Sequence, residues 1–120
     1  MEEKLIKVWN EDFTIAKSKK IIEDSFASIN DKNEITLVVE DSKINPEDII
    51  ESDKGWKLIT FNMILDFSTV GFISKISSAL AEANISIFVI SSYSTDHVLI
   101  KKENLDKALI VLKNLEVDLK

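Results

Sequence analysis

The sequence predicts an α+β fold in two units, antiparallel sheets with helices on one face, residues 55–120 forming the fuller unit and residues 1–54 a degenerate one. Three observations carry this prediction. Two stretches of the second half place apolar residues at helical spacing, short β-branched and aromatic runs fill the gaps around them, and part of the first half overlays on the second without a gap. The chain has 120 residues and 13.6 kDa, 45% of them hydrophobic and 30% charged, with no cysteine. A chain of that size buries about two-thirds of its unfolded surface, enough for a core without disulfide staples.

In the first half, a strand is expected near Phe13 to Ala16, then a short helix-like run, Lys19 to Asp24. A hairpin follows, and Pro46 to Ile50 comes after it with proline at a helix N1 position. Sliding the first half along the second sets Phe26 on Phe88, Glu34 on Asp96 and Leu37 on Leu99, so FASINDKNEITLV lies over FVISSYSTDHVLI. Each half therefore carries a hairpin of the same length with an acid at the same place. Asp53-Lys54-Gly55 is the expected joint between halves, because Gly55 and Gly71 are the only glycines.

The second half opens with a strand over Trp56 to Met63. A helix from Ser68 to Asn84 follows, its Phe72, Ile73, Ile76, Ala79, Leu80 and Ala83 forming one apolar stripe. Ser68 is placed to cap the first turn, and Phe67 with Phe72 to staple it. Strands follow at Ile85 to Ser91 and Asp96 to Lys101, then a helix from about Glu103 to Asn114 and a terminal strand over Glu116 to Leu119. That βαββαβ order is the ferredoxin-like split βαβ unit.

Charge excludes several functions. Fifteen lysines against twenty-one acids give a net charge of −6, the wrong sign for a protein that neutralises phosphates, so no nucleic-acid partner is expected. Arginine is absent, so a bound anion must be met by backbone N–H groups, hydroxyls or lysine. The N-terminus lacks an apolar leader and no apolar run approaches the ~20 residues that span a bilayer, so a cytoplasmic protein without a membrane partner is expected. No zinc site is expected, since His97 is the sole histidine and zinc needs three or four ligands. No nucleophile elbow, P-loop or dinucleotide fingerprint is present, and neither an enzyme nor a cofactor is expected.

Two places have the chemistry to hold a zwitterion. A helix N-terminus in the loop Asp66 to Gly71 offers unpaired N–H groups and partial positive charge to a carboxylate, and Gly71 has no Cβ to obstruct the approach. The bland alternative is that Ser68 satisfies those groups and Gly71 lets the helix lie close to the sheet. Asp66 and Asp96 are acids that can pair with an ammonium; alternatively Asp66 complements the helix dipole and Asp96 is a turn residue. Ser91, Ser92, Ser94 and Thr95 surround Tyr93, either as ligand contacts or as a solvated hairpin corner. His97 is expected to face the helices or an interface rather than a ligand.

Leu65-Asp66-Phe67-Ser68 with Gly71, Ile85-Ser86-Ile87-Phe88 and the run Ser91 to Asp96 followed by Val98-Leu99 resemble the ACT domain. The likeness is specifically to short bacterial tandem-ACT proteins and the cytosolic arginine-sensor family of animals. It covers nearly all of the second half, and Glu34 to Val38 and Trp56 match as well. Three departures stand out: Met63-Ile64 where the family often has Gly-Pro, Ser91-Ser92 where Ser-Thr is usual, and His97 where an aromatic is common. The resemblance implies two ACT-like units and a non-catalytic sensor that binds a free amino acid at an interface between ACT units, as a homodimer able to regulate a protein partner. The ligand residues it implies are Asp66, Phe67, Ser68, Val70, Gly71 and Phe72, with Ser91, Ser92, Tyr93 and Asp96. The alternative is a protein-interaction or dimerisation module without a small-molecule ligand.

Overall fold

The computed structural model describes residues 6–62 and 71–118, with side chains to Leu115. Its strands are β1 (Ile6–Val8), β2 (Phe13–Ser18), β3 (Ala27–Asn30), β4 (Ile35–Glu40), β5 (Ile49–Phe61), β6 (Ile87–Ser91) and β7 (Asp96–Lys101), and its helices α1 (Phe72–Glu82) and α2 (Leu105–Asp118). The chain divides into two compact units, Met1–Trp9 with Lys57–Lys120, and Asn10–Trp56. The boundary falls inside β5.

The larger unit has strand order β1-β5-β7-β6. Strand β1 runs antiparallel to β5 with Ile6 opposite Phe61, Lys7 opposite Thr60 and Val8 opposite Ile59. This corrects the expected terminal strand. Glu116 to Asp118 continue α2 instead, because the stripe Leu105, Ala108, Leu112 and Leu115 runs on into the last turn. The fourth strand of the split βαβ unit thus comes from the other end of the chain.

Helix packing follows the predicted stripes. Phe72, Ile76 and Leu80 of α1 and Ala108 and Leu112 of α2 meet Ile59, Phe61, Val98 and Ile100 of the sheet in one buried cluster. The Phe61 and Phe72 rings cross edge to face with centroids 5.4 Å apart, a geometry that aromatic quadrupoles favour. Helix α1 ends with Asn84 in the left-handed region (φ 63°), Ile85 N donating to Leu80 O and Asn84 N to Ala81 O, each at 2.9 Å. This is a Schellman stop. Ile85 and Leu80 supply its buried apolar contact, at 4% and 0% exposure. Ile85 is therefore the end of the helix, and β6 starts two residues later than expected.

The smaller unit has order β3-β4-β2-β5, the last strand through its Ile49–Trp56 part. Taken in chain order from β2, that is again the split βαβ strand arrangement, but its helices are missing. Lys19 to Asp24 form no helix: Lys19 N donates to Asp48 O at 2.8 Å and the Ser18 hydroxyl to Lys20 O at 2.7 Å. So short a run cannot nucleate a helix against those bonds. Pro46–Asp48 makes a single 3-10 turn, its start capped by Asn45 Oδ1 accepting from Glu47 N at 3.2 Å. Phe13, Ala16, Leu37, Val38, Val39 and Trp56 form its buried set, and Phe26 crosses Phe13 edge to face at 6.1 Å.

One more expectation is corrected by register. Asn30 pairs with Ile35 and Ser91 with Asp96, so the hairpins superpose with Asn30 on Ser91 and Ile35 on Asp96, one residue away from the expected overlay. In that alignment buried Leu37, Val38 and Val39 coincide with buried Val98, Leu99 and Ile100, whereas Glu34 falls on Thr95 and the acids no longer correspond. A one-residue slip exchanges the two faces of a strand, so burial selects the observed alignment. Asp53-Lys54-Gly55, the expected joint, stands just before the boundary between the units at Trp56 and Lys57. It lies within β5, where Lys54 and Gly55 face the single residue Thr14 in a bulge that Gly55 accommodates at φ 83°. An extra residue of this kind needs the left-handed region, which glycine enters without strain.

Candidate functional site

The β6–β7 hairpin is closed by polar contacts. Ser91 Oγ donates to Asp96 Oδ1 at 2.6 Å, and both the amide and the hydroxyl of Ser92 donate to Thr95 O at 2.9 Å. A hydroxyl-to-carboxylate bond that short is charge-assisted, and it holds Asp96 beside its cross-strand neighbour. Tyr93 stands at the loop tip, 85% exposed.

Gly71 is the N-cap of α1, at φ 85° and ψ 9°, with no side-chain cap, and its carbonyl accepts from Lys75 N at 2.9 Å. A Cβ there would meet no atom within 4 Å. The glycine is thus required by backbone conformation, and the expectation that it permits close helix-to-sheet packing is corrected. Asp66, Phe67, Ser68 and Val70 lie outside the described residues, but with Gly71 as N-cap and Phe72 as its first residue α1 starts later than Ser68, which corrects the expected Ser68 cap and the staple that needs Phe72 at N4.

Phe72 serves the core, 6% exposed and against Phe61. Thr60, one residue from the end of β5, lies 2.8 Å through Oγ1 from His97 Nδ1, one residue into β7. These two contacts bring the end of β5, the start of α1 and Asp96 to the same end of the sheet. Phe61 and Gly71 thus both lie at the end that carries the β6–β7 hairpin.

The main feature that sequence reasoning missed is a buried polar chain on the sheet face away from the helices. Trp9 Nε1 donates to Thr60 Oγ1 at 2.8 Å, and the same oxygen meets His97. Val98 and Ile100 join the helix-side core. His97 and Leu99 therefore face the other way, which corrects the helix-facing expectation. The available signal is a polar Thr60 inside the apolar run Leu58 to Phe61 and a polar His97 heading the apolar run Val98 to Ile100. Burial lowers the His97 pKa below 6.5, partly opposed by the Asp96 charge. A base with a depressed folded-state pKa contributes stability that is present above about pH 6.5 and lost as pH falls through the folded value. Denaturant melts between pH 7.5 and 5 therefore show a loss of stability that is smaller in His97→Gln.

Among the described residues no cluster of His, Cys, Asp or Glu is placed to hold a metal ion, and no helix is long and apolar enough to cross a membrane. The split βαβ architecture and its helix-side core define a small α+β domain of the ferredoxin-like kind. The ACT-domain family model matches residues 51–114, more than half of the chain, and the protein belongs to that family. A crystal structure from Agobacterium tumefaciens is 25% identical, with TM-score 0.79 over 91% of this chain and 86% of that one. A Vibrio cholerae protein of unknown function, described as a possible transport protein, is 26% identical, with TM-score 0.75 over 90% of this chain and 86% of that one. The regulatory subunit of aspartate kinase from Thermus thermophilus shares the fold, with TM-score 0.67 at 14% identity over 91% of this chain and 94% of that subunit.

Proposed function

We propose that this chain is a non-catalytic ACT regulator that binds a free amino acid between ACT units of two copies, the unit in its first half being reduced. The observation that carries the reading is the meeting of the α1 start and the Ser91–Asp96 hairpin at one end of the sheet in an ACT-family chain. The carboxylate is received at the start of α1, with Asp66, Phe67, Ser68, Val70 and Gly71 as its proposed contacts, while Asp96 receives the ammonium and Ser91, Ser92 and Tyr93 line the hairpin side. Likeness to a regulatory subunit of aspartate kinase supports a regulatory rather than catalytic role, which this reading sets in the cytoplasm and directs at a protein partner. A protein-interaction module without a ligand is the second reading, favoured by the Ser91 bond that already occupies Asp96.

A thermal-shift screen of the twenty amino acids separates the two. A ligand at a hundred times its dissociation constant stabilises the folded state by about 2.7 kcal/mol, a shift of several degrees in a chain this size. Asp96→Ala removes most of that shift, and Ser91→Ala, which frees the carboxylate, retains it. A flat screen supports the interaction module, and a shift unchanged in Asp96→Ala moves the ammonium site to Asp66. Light scattering at high concentration tests the homodimer: a mass near 13.6 kDa rejects it.

A further inference from the structure

Strand β1 is three residues long, and a strand so short needs more than its ladder to stay in place. Immediately after it, Trp9 donates its backbone N–H to Leu58 O at 3.0 Å and its indole N–H to Thr60 Oγ1 at 2.8 Å. Thr60 is 5% exposed and its oxygen is also 2.8 Å from Nδ1 of His97, itself 9% exposed. One hydroxyl thereby links the N-terminal strand, β5 and β7.

The direction of this chain depends on the imidazole. An indole N–H only donates, so Thr60 Oγ1 is the acceptor toward Trp9. Its single hydrogen then points at Nδ1 when the ring is neutral with its proton on Nε2, and the order runs from Trp9 N–H through Thr60 O–H to His97. Protonation places a hydrogen on Nδ1, so two donors face each other. Thr60 must then turn its hydrogen away on a buried face, or the contact opens.

We propose that the Trp9–Thr60–His97 chain is an acid-released clasp, which holds the N-terminal strand against β5 while the imidazole is neutral and frees it when the imidazole is protonated. The charged neighbours leave the device set for neutral pH. Asp96 on β7 favours the imidazolium, but burial outweighs it. Lys7 of β1 shares the face of Thr60, and its ammonium sits 3.9 Å over the Trp9 ring. Strand β6 presents uncharged Ile90 opposite His97, and the last part of β5 presents uncharged Trp56, Leu58 and Thr60 on that face, its acids Glu51 and Asp53 lying farther back along the strand. Release withdraws Ile6 and Val8 from the core they pack against and leaves β5 from Ile59 to Phe61 without its edge partner.

Amide hydrogen exchange by NMR on the full chain, corrected for intrinsic rates, tests this between pH 7.5 and 5. The Trp9 amide and indole protection falls at least tenfold as His97 titrates, while Leu80 and Leu99 keep theirs. In His97→Gln, Trp9 protection no longer follows pH in that range. In Thr60→Val, of nearly the same shape, it is at least tenfold lower already at pH 7.5 with the core amides retained. Parallel loss at Trp9 and Leu99 in the unaltered chain overturns the proposal. So does an unchanged Trp9 pH response in either variant. If His97→Gln does not fold, the unaltered chain and Thr60→Val decide the matter alone.

Discussion

Leu80→Ala is expected to lower the unfolding free energy by about 3 kcal/mol, within the range for deleting a fully buried leucine side chain. Leu80 is 0% exposed and belongs to the cluster that joins α1 to the sheet and α2. It also anchors the end of α1, because its carbonyl accepts the Ile85 amide and its side chain belongs to the same buried cluster as Ile85. The substitution thus leaves a cavity and removes the apolar half of the Schellman stop. A urea melt at pH 7.5 reads the change; a loss under about 1 kcal/mol shows that the neighbours close the space. Ala81→Ser, on the exposed face one residue on, is the control and leaves stability nearly unchanged.

Gly71→Val is expected to cost about 2 kcal/mol of stability through the backbone alone. At φ 85° a Cβ collides with its own carbonyl environment whatever the space around it, and the space here is open. A β-branched residue suffers most. Asparagine tolerates the left-handed region, so Gly71→Asn recovers much of that loss while still placing a side chain at the helix start. The pair separates two roles in one experiment. If Gly71→Asn is stable and still shows the amino-acid shift, the glycine serves the turn; if it is stable and the shift is gone, the glycine also keeps the approach clear for a carboxylate. Equal stability of the valine variant and the parent chain sinks the backbone argument.

Much of the fold was legible because it is written in local periodicity. The α1 stripe from Phe72 to Leu80 and the β7 run Asp96 to Lys101 depend only on residues within two turns or one strand of each other. The hairpins were legible for the same reason: their loops are short and edged by polar clusters. The candidate site was legible only in part. Asp96 stands out in the sequence by its position at the start of a strand, but its bond to Ser91 depends on cross-strand register. Gly71 stands out as one of two glycines, yet its role rests on a dihedral angle that spacing does not reveal.

Composition and periodicity sufficed for the α+β class, the two amphipathic helices, the acidic surface and the absence of thiol chemistry, since each is a property of single residues or near neighbours. Tertiary structure decided the source of the fourth strand, the face of His97 and the alignment of the two hairpins. Ile6–Val8 pairs with a part of β5 far along the chain, as the Trp9–Thr60 sequence separation of 51 shows, and three residues carry too little pattern to announce a partner. Glu116 to Asp118 alternate polar and apolar side chains. That pattern fits a strand or a helix end equally until the strand position is filled by another segment. The alignment of the hairpins is set by which side chains are buried, and burial is a property of the folded chain: a slip of one residue leaves local composition almost unchanged while turning every side chain to the other face.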